Sequence, residues 1–160
     1  MPTAPPQGQP PAAAQARAGA PVDPYRNYNF LLQIQDVAEA RFTECVGLGM
    51  RITPIRYRES GAGQIVRALP GPVEYAEVTL RYGLTNSIDL WNWLNSAVRG
   101  TVQRRHVSVV MLDSDGARQT IRWNLLNAWP CQWSGAPLDA MGREAAIEEL
   151  RLAFDSLERS

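Results

Sequence analysis

His106-Val-Ser-Val-Val-Met-Leu112, then Asp113-Ser-Asp-Gly116, then Ala117 through Trp133, is the stretch whose reading decides the fold. In an extended chain Val107, Val109 and Met111 point one way, and Ser108, Val110 and Leu112 the other. Both sets are largely apolar, as in a strand covered on both faces. Asp113 to Gly116 carries a hairpin signal, because Asp tolerates left-handed geometry and Gly accepts positive φ without a Cβ clash. The return strand sets Ile121, Trp123 and Leu125 against Arg122, Asn124 and Leu126. This is a long central hairpin that most of the remaining apolar segments must cover.

Upstream of it, Phe30, Leu32 and Ile34 alternate with Leu31, Gln33 and Gln35, which predicts a first strand of about nine residues. Arg41 to Val46 is a short strand, ended by Gly47-Leu-Gly49. Ile52 to Arg58 and Gln64 to Leu69 are extended segments around Glu59-Ser-Gly-Ala-Gly63. Ile55 and Tyr57 alternate with Arg56 and Arg58, and the second arm offers only Ile65, Val66 and Leu69, so this hairpin is too polar for a core and is expected to project and to need another surface. Val73 to Tyr82 alternates as a further strand, and Gly83 breaks it. Thr85 to Arg99 reads as the one helix, capped by Asn86 or Ser87, with Asp89 in the positive first turn. Its expected buried stripe is Ile88, Trp91, Leu94 and Val98, widened by Leu90 and Ala97, and Arg99-Gly100 stops it.

Downstream, Pro130 bends or ends pairing because it has no N–H to donate. Ser134-Gly-Ala-Pro137 is a turn. Ala145 to Leu157 fits two patterns. Ile147, Leu150, Phe154 and Leu157 have helical spacing, whereas Leu150, Leu152 and Phe154 alternate with Glu149, Arg151 and Asp155. Its Ala and Glu content favours the helix on propensity alone.

Sixteen Arg balance sixteen Asp plus Glu among 160 residues, and Lys is absent. Zero formal charge argues against general nucleic-acid or anionic-membrane binding. With no basic-then-apolar leader and no run of about 18 apolar residues, the expectation is a soluble protein made in the cytoplasm. Residues 1–22 are Pro, Ala, Gln and Gly around a single charge, Arg17, and are expected to form a disordered leader before one domain at 23–160. That domain is large enough to bury roughly 65–70 % of its unfolded surface. Cys45 and Cys131 belong to no C-x-x-C pair and read as buried free thiols.

The inventory of chemistry is empty. His106 is the only histidine; it follows Arg104-Arg105, and no G-x-S-x-G elbow supplies a serine for it. Asp113 and Asp115 start like a calcium loop but lack the downstream bidentate Glu, so they are read as a turn. Gly61-Ala-Gly63 and Leu69-Pro-Gly71 form no phosphate cradle and are likewise read as turns. Glu144, Glu148 and Glu149 are read as a solvated face. Trp91, Trp123 and Trp129 are assigned to core or subunit-interface packing rather than sugar stacking. A half-polar arm, strands at both ends of the domain and no catalytic, cofactor or metal site point to assembly as the function.

The series of motifs resembles the inner-tube proteins of contractile phage tails, especially those of phage-tail-like contractile injection systems. It runs from Asp23-Pro-Tyr-Arg-Asn-Tyr-Asn-Phe30 through Val46-Gly-Leu-Gly49, Tyr57-Arg-Glu-Ser-Gly61 and Leu69-Pro-Gly71. It continues with Val78-Thr-Leu-Arg-Tyr-Gly-Leu-Thr85, Leu90-Trp-Asn-Trp-Leu94, Trp123-Asn-Leu-Leu-Asn-Ala-Trp-Pro130 and Ala145-Ala-Ile-Glu-Glu-Leu-Arg-Leu-Ala153. The resemblance covers residues 23–158, and the 22-residue leader departs from it.

The resemblance implies a mainly β fold: an antiparallel sandwich or small barrel with one flanking helix and a projecting hairpin arm. It implies hexameric rings whose sheets join into one ring-wide barrel, stacked into a tube. Tyr57, Arg58, Glu59, Ser60 and Gly61 would then be the tip of a ring-stacking arm. Ala145 to Phe154 should be a strand, and lumen-facing positions should be polar or small. The implied partners are sister copies, a sheath outside, baseplate or spike and tube-terminating proteins at the ends, and protein cargo in the lumen. No cofactor, specific nucleic acid or membrane segment is implied. Such a particle is assembled in the cytoplasm and either retained or released on lysis. A true phage tail or a type VI secretion tube is the alternative within the class. A small-ligand barrel and an enzyme are the rivals outside it.

Overall fold

The structure, a computed structural model, describes residues 29–35, 42–61, 63 and 65–160. The leader expected at 1–22 lies outside the described residues. The elements run β1 (Phe30–Ile34), β2 (Phe42–Val46), β3 (Met50–Arg58), β4 (Val66–Tyr75), β5 (Val78–Gly83), α1 (Asp89–Val98), β6 (Arg105–Leu112), β7 (Gln119–Ser134), β8 (Ile147–Ala153) and β9 (Ser156–Arg159). Every strand pair is antiparallel.

The central hairpin is β6 and β7, with Val107 opposite Leu125, Val109 opposite Trp123 and Met111 opposite Ile121. The Asp113 carboxylate accepts the Ala117 and Arg118 amides at 3.1 and 3.3 Å, which closes the turn. β7 is long enough to serve two sheets. Its first half lies between β6 and β9 in a sheet ordered β1-β6-β7-β9, and its second half pairs with β8 in a sheet ordered β7-β8-β5-β2. The inner faces meet in a core of Ile34, Val107, Val109 and Leu125 from the first sheet and Val78, Leu80, Leu150 and Leu152 from the second. Leu90 and Trp93 of α1 complete it, and the Trp93 indole N–H donates to the Gln103 carbonyl at 2.7 Å.

The bend in β7 falls at Asn127, which has φ +54°. Asn tolerates the left-handed region better than branched residues do. Its Nδ2 donates to Asp155 Oδ2 at 3.1 Å, at the break between β8 and β9, so both strands turn at one level. Asn127→Val should lower unfolding free energy by about 1–3 kcal/mol, and Asn127→Gly by less. Chemical denaturation checks both, and equal costs would show that the bend does not depend on the left-handed conformation.

Several expectations shift. β1 is five residues long rather than nine. Val73 to Tyr82 is two strands, because the chain leaves β4 at Tyr75 and enters a different sheet at Val78. The helix begins at Asp89, later than Thr85. Its N-cap is Ile88, with no side-chain cap, since the Ser87 hydroxyl donates to Asp89 Oδ2 at 3.3 Å instead. Its buried face is Leu90 and Trp93, flanked by Leu94 and Ala97, whereas Ile88, Trp91 and Val98 are exposed. Both stripes have helical spacing, and only the packing partner distinguishes them. Leu69-Pro-Gly71 lies within β4 and is not a turn. Pro130 stays inside β7, fully buried, and a register shift before Gln132 absorbs its missing donor.

Ala145 to Phe154 does contain a strand. Leu150 and Leu152 are buried and β8 is paired on both sides, so tertiary pairing overrides helix propensity. The architecture is the expected one: a mainly β antiparallel sandwich with one flanking helix and a projecting ribbon, whose sheets are not closed within one chain.

Candidate functional site

β3 and β4 pair only with each other and form a ribbon apart from the sandwich. The pairing sets Met50 opposite Tyr75, Ile52 opposite Val73, Ile55 opposite Leu69 and Tyr57 opposite Arg67. A register shift between Ile52 and Pro54 places one extra residue on β4. Arg51 is opposite Glu74, Arg56 opposite Ala68 and Arg58 opposite Val66. The ribbon's apolar residues are bare: Ile52, Ile55, Leu69 and Val73 are each about half exposed. At the base the ribbon runs into the core, where the Tyr75 and Phe154 rings lie 5.6 Å apart.

The ribbon's shape depends on two close backbone approaches. A Cβ on Gly71 would fall inside contact distance of the Thr53 carbonyl oxygen, next to the paired Pro54 and Pro70. A Cβ on Gly47 (φ +95°) would meet the Glu77 carbonyl oxygen in the same way. Gly47 thus lets the chain pass from β2 to the ribbon while Leu48 stays packed on the core. Spacing alone marks neither requirement.

At the tip, Tyr57 is half-buried, and Arg58, Glu59, Ser60 and Gly61 are exposed. The Tyr57 hydroxyl donates to Glu59 Oε1 at 3.3 Å, and Arg67 lies 3.5 Å from the same oxygen. The three tryptophans do not share one environment. Trp123 is half-buried against the core, and the Arg159 guanidinium lies 5.9 Å from its ring. Trp129 is half-buried opposite Ala153. Trp91 is 47 % exposed and meets Trp133 edge-on at 5.1 Å.

Among the described residues, the sandwich strands β1, β2 and β9 each have a partner strand on one side only, and so has the end of β7 from Trp129 to Ser134. Between β1 and β2 the sandwich opens in a groove of about 720 Å³ lined by Phe30, Phe42, Leu48, Val109, Met111 and Trp123. Across the outer face of the second sheet runs a chain of ion pairs. Glu44 lies 2.6 Å from Arg81, Arg81 3.2 Å from Glu149, and Arg151 3.7 Å from Glu149. The hydrogen bonds that Arg81 donates to Glu44 and Glu149 raise its pKa, so this guanidinium stays charged.

Cys45 and Cys131 are free and partly buried. Burial pushes the Cys45 thiol up to about 11 and raises Cys131, which suits an inert thiol rather than a nucleophile. His106 is exposed on β6. Among the described residues no group of His, Cys, Asp and Glu could hold a metal ion, and no helix is long and apolar enough to cross a membrane.

Comparison with known structures returns the same architecture. A chain from the structure titled "Cryo-EM Structure of an Extracellular Contractile Injection System, PVC sheath/tube terminator in extended state" is 25 % identical, with a TM-score of 0.80 over 88 % of this chain and 99 % of that one. A chain of the anti-feeding prophage cap (AFP tube terminating cap) is 23 % identical, with a TM-score of 0.82 over 92 % and 98 %. One from the PVC sheath-tube complex in the extended state is 24 % identical, with a TM-score of 0.77 over 86 % and 91 %. Comparison with curated proteins returns no match. The family model described as "T4-like virus tail tube protein gp19" matches residues 26–158, spanning ribbon, both sheets and helix. With open edges, a ribbon of bare apolar residues and that match over nearly the whole domain, the chain belongs to the T4-like tail tube protein family.

Proposed function

We propose that this tail tube protein forms the inner tube of a phage-tail-like contractile injection particle, in six-membered rings stacked inside a sheath. The observation that carries the reading is the β3–β4 ribbon, which leaves Ile52, Ile55, Leu69 and Val73 about half exposed although isolated ribbons are marginal in water. A sister copy in the adjacent ring covers it, with Tyr57 to Gly61 at the leading tip. Open edges on the sandwich are closed in the same way, by strands of neighbours within the ring. Trp91, exposed beside Trp133, belongs to the surface that meets another subunit or the sheath. Baseplate and terminator proteins cap the ends, and protein cargo occupies the lumen. Sheath contraction supplies the energy, so the tube subunit performs no catalysis and needs no cofactor. Assembly takes place in the cytoplasm.

Negative-stain microscopy of the purified chain with a baseplate initiator tests the reading: rings or tubes are expected, and monomers throughout would reject it. Deleting Glu59 to Gly63 should leave a folded chain, by circular dichroism, that forms rings but stacks poorly. Normal tubes from this deletion would remove the arm from the stacking contact.

A further inference from the structure

We propose that Asp155 is a positioning residue for assembly: its carboxylate fixes the angle between the two sheets, and with it the number of subunits that close a ring. The inference rests on the tube reading and adds which side chain sets the ring's curvature.

β7 and the β8–β9 segment run side by side through both sheets and bend together. β9 pairs with the first half of β7, ending at Leu126 opposite Ser156, and β8 with the second half, starting at Trp129 opposite Ala153. Between these pairs Asn127 and Ala128 pair with neither β8 nor β9, and the Asp155 N–H donates to the Leu126 carbonyl at 3.0 Å. An interrupted ladder is where a strand pair bends, so the groups around this gap decide by how much.

On the inner side of the joint Ala128 and Phe154 are buried in the core. On the outer side a single carboxylate spans it. Asp155 Oδ2 accepts the Asn127 side-chain amide at 3.1 Å, from β7. Its Oδ1 accepts Arg104 Nη1 at 3.1 Å, from the segment between α1 and β6. The ribbon is rooted at the same place, since the Tyr75 ring lies 5.6 Å from that of Phe154, the residue before Asp155. Both sheets, the ribbon and the entry to β6 therefore meet at one point. The other ion pairs among the described residues lie on the second sheet and its Glu77 flank, or within the ribbon.

The angle held there matters to a ring because the half-paired strands are shared between the sheets. β1 and β9 belong to the first, β2 and the end of β7 to the second. A neighbour that meets both sheets can align with both only at one angle. Closing a ring of six turns each copy by about 60°, and a ring of seven by about 51°, so roughly 9° per subunit separates the two. Arg104 and Asp155 are both about half exposed, and exposed ion pairs add little to folding stability. Their loss should therefore show in the geometry of the assembly before it shows in the melt.

Class averages of assembled rings, read as the distribution of ring symmetries, test this beside a thermal melt of each variant. The wild-type chain should give one symmetry. Asp155→Ala and Arg104→Gln should melt close to the parent yet give mixed symmetries or open arcs. The double variant Arg104→Asp with Asp155→Arg should return to one symmetry, because it restores the ion pair and the Asn127 amide can turn its oxygen to a guanidinium. Uniform rings of parental symmetry from Asp155→Ala would overturn the proposal, as would an exchanged variant no more uniform than the single ones. Should Asp155→Ala not fold, Arg104→Gln carries the same two outcomes. A wild-type chain that forms no rings defeats the tube reading itself, whereas wild-type rings matched by Asp155→Ala rings defeat this assignment alone.

Discussion

Gly71→Val is expected to yield a chain that folds and melts as the parent does yet forms no tubes. The added side chain would begin inside contact distance of the Thr53 carbonyl oxygen, across the ribbon at its Pro54–Pro70 kink. Backbone on both sides of the clash leaves no flexible side chain to yield, so the two ribbon strands must part or twist. Either movement displaces the exposed Ile55 and Leu69 pair beside it. The sandwich is spared because the ribbon pairs with neither sheet. The melting temperature should therefore move by no more than about 4 °C, the shift expected for ~1 kcal/mol in a domain of this size. Arg56→Ala, an exposed ribbon position opposite Ala68 that leaves the backbone free of any clash, serves as the control and should assemble. Tubes at parental yield from Gly71→Val would mean that the ribbon's shape does not matter to stacking.

Val109→Asp is expected to unfold the chain outright. Val109 is 4 % exposed, between Leu32 of β1 and Trp123 of β7, facing the core. None of the described buried residues is polar or charged, so nothing waits to pair with a carboxylate there. An unpaired buried charge costs about 3–5 kcal/mol, a large share of the ~5–15 kcal/mol typical of a domain's total stability. Far-ultraviolet circular dichroism and a thermal melt are the measurements. A cooperative transition at the parental temperature would show that the two sheets do not enclose this position.

The contrast between these substitutions follows what the amino-acid string discloses. The spacing of Val107, Val109 and Met111, with a turn at Asp113 to Gly116, is enough to place the central hairpin, because that face of the strand packs in the core. The opposite face, with Ser108 and Leu112, lies on the outside of the sandwich rather than under a second layer. The ribbon was legible too, as a pair of extended segments too basic to enter a core, although its ends were set short of Met50 and Tyr75. The helix is legible and its buried face is not. Leu90 and Trp93 are as regularly spaced as Ile88 and Trp91, and only the sheet beneath them breaks the tie. The strand at Ile147 to Ala153 shows the opposite failing of local rules, since Ala and Glu argue for helix until partners on both sides are known; the resemblance to tube proteins supplied what local composition could not. Asn127 gave no signal at all. A polar residue between Leu126 and Ala128 looks ordinary until the backbone is seen to turn there.

β7 sits at the centre of the molecule but late in the chain, and that has a consequence for synthesis. β1 finds its partner only when β6 has been made, with Phe30 opposite Met111. At translation speeds of about 5–20 residues per second, that is a wait of roughly 4–16 s. β5 waits similarly for β8. Until β8 and β9 have left the ribosome neither sheet is complete, so a nascent fragment lacks the full set of edges of a finished subunit. Manufacture and polymerisation are thereby separated in time by the order of the strands alone.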